Sequence, residues 1–230
     1  MMKTNASGLV EGKRLFGLKR WDLALREFLT VKTDAINSEE YTELAYYAGL
    51  CYTKLGRYDE GRLYLEQAIT KGANSLRVYQ CHMTLAYIYS ITNRSRLAEF
   101  ELGELIKNGF VSVQIYTTLA YVVWMQKNPV LAVRLYEKAL KIDENNTTAM
   151  NGLGYILADT GQDVLRGLRF CRKAVDRRPR NAAYLDSLGW AYYKSGNSHE
   201  AGVWLRRALN LAPGQKEIRN HLRIIEEIKP

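Results

Sequence analysis

Small residues recur along this chain at a nearly fixed interval, and that interval limits the folds open to it. Gly12, Gly49, Ala86, Ala120, Gly154 and Gly189 stand at successive steps of 37, 37, 34, 34 and 35 residues. Twelve or thirteen positions after each comes a second small residue: Ala24, Gly61, Ala98, Ala132, Gly167 and Ala201. A third series, Val31, Ala68, Leu105, Ala139, Ala174 and Ala208, keeps the same phase. Two helices with linked registers, repeated six times, account for the pattern. Small residues at matching points let two helix backbones approach closely, and Leu85, Leu119, Leu153 and Leu188 are placed to fill the seam. Turn chemistry separates the helices at "KLGRYD" (54–59), "DTGQD" (159–163) and "KSGNS" (194–198). Pro179 and Pro213 follow second helices, where a residue that cannot continue a helix belongs. A lone hairpin cannot bury its apolar face, so neighbours must stack into a shared core.

A helix–turn–helix unit of about 34 residues with this pattern resembles the tetratricopeptide repeat (TPR) family. The likeness is strongest over 185–213, where Leu188, Gly189, Tyr192, Ala201, Leu205, Ala208 and Pro213 fall in register. It is good in the repeats beginning near Glu43 and Met150 and fair near Gln80 and Tyr116. It is weak at the N-terminus, where Glu11 replaces the family's leucine. The resemblance implies an all-α, right-handed α-solenoid of six repeats in one domain spanning 1–230. The repeats are expected at about 5–36, 42–74, 79–110, 113–146, 147–181 and 182–213. A helix over 214–229 should cap the last hairpin, with Ile218, Leu222 and Ile225 as its apolar stripe. The 37-residue steps lead us to expect longer connectors around "KTDAINSEE" and "KGANSLR". The style of residues 153–196 is similar to a bacterial subtype of the family that includes cell-envelope proteins.

In this family the first helix of each hairpin lines an inner, concave wall, which gives "LDSLGWAYYKSGN" (185–197) two stripes to sort. Leu185, Leu188 and Tyr192 form the core stripe, and Asp186, Trp190 and Tyr193 lie about a quarter-turn round. The second stripe reads through the other repeats as Tyr46, Leu50, Thr53; Met83, Tyr87, Ser90; Thr117, Tyr121, Trp124; and Asn151, Tyr155, Ala158. One register position therefore runs Leu50, Tyr87, Tyr121, Tyr155, Trp190, a ladder of rings expected to face the groove. Adjacent helices lie about 10 Å apart, so an extended peptide rising about 3.3 Å per residue would pass one ring every three residues or so. The alternative is that each ring fills the space against the neighbouring first helix. The family's carboxylate clamp for acidic heat-shock-protein tails uses lysine, asparagine and arginine on this wall. Here the places hold tyrosine, methionine, threonine and tryptophan, with Asn151 isolated, so the expected ligand is an apolar or aromatic protein segment.

Charge supplies a second candidate surface. The chain carries 33 Lys+Arg against 24 Asp+Glu. Of these, residues 161–230 hold 14 basic and 7 acidic side chains. Arg166, Arg169, Arg172, Lys173, Arg177 and Arg178 cluster in repeat five, and Arg206 and Arg207 follow in repeat six. Arg166, Arg169 and Lys173 share a helix face by spacing, and the strip could meet an acidic protein, an anionic membrane surface or, least favoured, nucleic acid. A solvated helix face is the plainer explanation of the same residues.

Chemistry finds little footing. His82, His199 and His221 have neither ligand nor triad spacing and read as surface or packing residues. Glu226 and Glu227 read as a solvated face, and the phosphate-loop, zinc-protease and nucleophile-elbow motifs are missing. Cys51, Cys81 and Cys171 show no CxxC spacing, which argues against disulfides or zinc and for buried thiols. The expectation is a non-enzymatic scaffold without cofactor or metal. No apolar run is long enough to span a bilayer, and the start lacks the apolar stretch of a secretory signal. A cytoplasmic location follows, or a periplasmic or membrane-anchored one had a leader been removed.

Overall fold

The computed structural model describes residues 5–72 and 74–227, and every element in them longer than one turn is an α-helix. The helices fall into two compact units, Met1–Phe110 and Val111–Pro230, where the repeat count led us to expect one domain. The first unit holds three hairpins: α1 (Asn5–Gly17) with α2 (Trp21–Leu29), α3 (Ser38–Lys54) with α4 (Tyr58–Thr70), and α5 (Ser75–Ile91) with α6 (Ser95–Lys107). The second holds α7 (Val113–Met125) with α8 (Pro129–Ile142), α9 (Thr147–Asp159) with α10 (Val164–Arg177), and α11 (Ala182–Lys194) with α12 (Ser198–Leu211). The helix α13 (Lys216–Glu227) follows as the cap; residues 228 and 229 of its expected span lie outside the described residues. Among the described residues no helix is long and apolar enough to cross a membrane.

The 37-residue steps resolve as expected only in part: the connector before α3 (30–37) is longer, whereas the one before α5 is not. Helices α7, α9 and α11 begin seven residues before their key small residue, as Val113 does before Ala120. Helices α3 and α5 begin eleven before theirs: Ser38 before Gly49, Ser75 before Ala86. The extra residues thus form one more helical turn, and the connector before α5 (71–74) is as short as the one before α9 (143–146). The caps explain the shift. Asn37 accepts from the Glu40 amide while Glu40 returns a bond to the Asn37 amide, and Asn74 accepts from the Arg77 amide. Each satisfies an otherwise orphaned donor at the new start.

Inside the hairpins every tight turn contains one residue in the left-handed region: Lys19, Gly56, Asn93, Lys127, Gly161 and Gly196. The seam is closest between α9 and α10. There a Cβ on Gly154 would lie 2.8 Å from both the Cys171 amide nitrogen and the Gly167 carbonyl oxygen. Leu85, Leu119, Leu153 and Leu188 are buried along the seams, as expected. All three cysteines are fully buried, and burial pushes the Cys51 and Cys81 thiols up to about 12 and raises Cys171 as well. They are therefore protonated packing groups at neutral pH.

Within each unit the hairpins stack in a regular way. Each second helix packs on the next first helix, and first helices also touch one another (α3 with α5, α7 with α9, α9 with α11). The first helices therefore make a contacting row in each unit, the inner row that the resemblance implies, and the second helices make the outer row. Ile218, Leu222 and Ile225 of α13 are buried against the last hairpin, so the cap is anchored as its stripe requires.

Candidate docking surface

In the first unit the inner row is held by polar ties. Glu43 on α3 receives Lys13 of α1 at 3.0 Å and Arg77 of α5 at 2.6 Å, linking three first helices through one carboxylate. One turn along, the Tyr46 hydroxyl donates to Gln80 Oε1 at 2.7 Å, and the residue is 8% exposed. Burial pushes its phenol up to about 12. Tyr46 thus bonds neighbouring repeats together rather than standing open on the wall. Further along the stripe Leu50 and Met83 are half-buried, and Tyr87 is 51% exposed.

In the second unit the rings form a connected series in which Tyr155 and Trp190 of the expected ladder are joined through His221, with Trp124 at one end and Tyr193 at the other. Trp124 meets Tyr155 edge-on at 6.2 Å, Tyr155 lies 6.4 Å from the His221 imidazole, His221 stacks on Trp190 at 4.2 Å, and Trp190 lies 5.0 Å from Tyr193. Tyr121, one turn before Trp124, keeps 51% of its surface exposed. Trp124, Asn151, Tyr155 and Tyr193 are half-buried. Asn151 Oδ1 is shielded from solvent and has no hydrogen-bond partner. Thr117 is buried, with its hydroxyl donating to the Gln114 carbonyl.

Besides the buried Tyr46 and Thr117, two more placements differ from the sequence reading. Trp190 is 8% exposed and Asp186 is buried, because α13 lies over this end of the inner row. His221 Nδ1 sits 2.9 and 3.1 Å from the two Asp186 oxygens; a carboxylate only accepts, so Nδ1 carries the proton. The Trp190 indole donates to Asp159 Oδ1 at 2.8 Å, and Lys194 Nζ stands 5.2 Å from the ring centroid. Burial, helped by Asp159, Asp186 and Glu217, raises the Tyr155 phenol well above its ordinary value. The sequence reading treated His221 as a surface or packing residue. Its spacing from Ile218 and Ile225 places it on the flank of the α13 stripe, but the ring it meets had no signal.

The basic strip is partly committed to packing. Arg166 bridges to Glu137 at 2.8 Å, Arg172 bonds the Tyr192 hydroxyl and lies 4.9 Å from the Trp204 ring centroid, and Arg177 donates to the Asn145 carbonyl at 3.1 Å. Arg207 donates to the Pro179 carbonyl at 3.3 Å, and Arg206 stands 3.7 Å from Glu226. Arg169, Lys173 and Arg178 are exposed. His82 is paired with Glu101 at 2.6 Å inside the third hairpin. Among the described residues no His, Cys, Asp or Glu group is placed to hold a metal.

The model of the family described as tetratricopeptide repeat matches residues 42–70 and 182–215, the second and sixth hairpins. The chain carries tetratricopeptide repeats, two of them matched by the family's own model. The TPR repeat-containing protein PA4667 of Pseudomonas aeruginosa is 27% identical over 173 residues, covering 74% of this chain. The chain spans 28% of that relative's length. Among solved structures, YrrB, a TPR protein with an unusual peptide-binding site, superposes with a TM-score of 0.59 at 16% identity, covering 81% of this chain and 92% of its own. The Cut9–Hcn1 structure of the APC/C hetero-tetramer gives 0.75 at 12% identity, covering 96% and 42%. These likenesses establish the TPR fold, an α-solenoid architecture that serves protein–protein interaction.

Proposed function

We propose that this protein is a non-enzymatic scaffold whose inner rows of first helices dock a protein segment of apolar or aromatic character. The observation that carries the reading is Tyr121, an inner-row ring left 51% exposed beside the half-buried Trp124–Tyr155 pair. A stacking ring that only filled space between repeats would be covered by its neighbours, as Trp190 is. Tyrosine offers rigid contact area with a polar handle, which suits reversible recognition. Leu50, Met83 and Tyr87 present a smaller surface of the same kind in the first unit. Tyr46, Thr117, Asp186 and Trp190 hold the rows in shape. The peptide-binding site of YrrB, on a similar fold, is consistent with this use of the architecture.

Covering the exposed half of one tyrosine ring, on the order of 100 Å², contributes about 2–3 kcal/mol, or ~30- to 150-fold in Kd. Peptides selected from a random display library on the wild-type chain should therefore lose affinity by that factor against Tyr121→Ala, with the helical circular dichroism unchanged. Selected peptides that bind Tyr121→Ala and Tyr87→Ala as tightly as wild type would refute inner-row docking.

A further inference from the structure

The outer row of the second unit carries a surface that inner-row docking does not use. Aligning the second helices on Gly61, Ala98, Ala132 and Gly167 puts Leu63, Phe100, Arg134 and Arg169 at one position. Gln67, Glu104, Lys138 and Lys173 fall four residues later. The repeat architecture therefore does not demand cations there, since the second and third hairpins carry Leu63 with Gln67 and Phe100 with Glu104 instead. In the second unit Arg169 and Lys173 flank a cleft between α8 and α10. One part, of ≈390 Å³, is lined by Glu137, Leu140, Lys141, Leu153, Arg166 and Phe170. A second part, of ≈180 Å³, is lined by Arg166, Arg169, Phe170 and Lys173 and shares two of these residues.

The geometry points to this cleft as a docking site for an acidic protein segment bearing apolar side chains. Its floor is apolar, formed by Leu140, Phe170 and the fully buried Leu153. Its rims are cationic on both sides, with Lys141 on α8 and Arg166, Arg169 and Lys173 on α10. Glu137 opposes them, and it is already paired with Arg166. The volume of the larger part lies within the roughly 300–1,000 Å³ of typical ligand sites. A planar bilayer meets ridge tops and leaves such a floor uncovered, whereas a chain segment enters between the helices. Single-stranded nucleic acid needs a free ring to stack a base. The Phe170 ring has the Arg166 guanidinium 5.5 Å and the Lys173 ammonium 5.9 Å from its centroid. Carboxylates on the segment would pair with the rims while its apolar side chains cover Leu140 and Phe170.

The test uses the full chain and a fluorescein-labelled peptide alternating leucine with aspartate and glutamate, read by anisotropy. Binding should weaken ~10-fold or more with Arg169→Glu plus Lys173→Glu, and also as salt is raised to ~0.5 M. The milder Arg169→Gln plus Lys173→Gln pair should weaken it less, and it keeps the test valid if charge reversal disturbs folding. Tyr121→Ala should leave this binding unchanged, which separates the cleft from the inner row. The inference is overturned if an analogue with glutamine and asparagine in place of the acids binds as tightly. It is also overturned if Tyr121→Ala releases the peptide, or if phosphatidylglycerol vesicles or an oligothymidylate bind this face while the peptide does not.

Discussion

The close approach of α9 and α10 makes a prediction whose sign depends on the seam. Gly154→Ala would place its Cβ 2.7 Å from Cys171 Sγ and 2.8 Å from two backbone atoms, the Cys171 nitrogen and the Gly167 oxygen. The sulfur belongs to a side chain that could adjust, but the backbone atoms yield only if the helices separate. Overpacking of this kind costs about 1–3 kcal/mol, and more where backbone must move. Alanine's better helix propensity returns about 1 kcal/mol. The net expectation is a loss of roughly 1–2 kcal/mol, read as a lower denaturant midpoint at unchanged slope. Two controls share the chemistry without the clash. A Cβ on Gly103 meets nothing within 4 Å, and one on Gly202 meets only the movable Arg206 guanidinium, 3.1 Å away at its nearest atom. Gly103→Ala should stabilise its unit by about 0.5–1 kcal/mol, and Gly202→Ala should be neutral to stabilising. If Gly154→Ala shifts the midpoint upward as the controls do, the small residues are not there to admit close helices, and the seam argument fails.

Two further perturbations follow from named contacts. His221→Ala removes the ring stacked on Trp190 and leaves the buried Asp186 carboxylate without its donor, at an expected cost of about 2–3 kcal/mol. Hydrogen exchange should show α13 opening earlier than α12, with tryptophan emission shifted to the red; unchanged protection would mean His221 contributes nothing. In the first unit, burial pushes Tyr46, Tyr89, Cys51 and Cys81 each up to about 12. Their contribution is fully present below the unfolded values, near 8.5 for the thiols and 10 for the phenols, and is lost as pH rises toward 12. Denaturant midpoints followed upward from neutral pH should therefore fall in the alkaline range, and a flat profile would contradict the burial of these groups.

The hairpin architecture was legible because it rests on packing constraints that repeat: a small residue wherever two backbones meet, and leucine in the seam. What misled was length. Three extra residues in the step to Ala86 look like loop in a periodic pattern, and those before Gly49 divide between a longer loop and a longer helix. The decision was made by Asn37, Glu40 and Asn74, whose side chains cap a helix one turn earlier than in the other repeats. Of the ladder positions, Tyr155 and Trp190 lie in one series of rings with Trp124 and Tyr193, joined through His221. Their exposure was not legible. Burial of Trp190 depends on where α13 comes to rest, and the position of His221 on the flank of that helix's stripe does not say which ring it meets.

The same placement bears on where an inner-row ligand could gain most. At the C-terminal end of the second unit, the stacking face of Trp190 and the acceptors of Asp186 are already taken by His221, and a ligand would have to displace a helix anchored by Ile218, Leu222 and Ile225. At the α7–α9 end Tyr121 is half exposed and Trp124 and Tyr155 offer edges, so a segment gains by covering these rings. Docking in the second unit should therefore centre on α7 and α9, and Tyr121 is a sharper probe of it than Trp190.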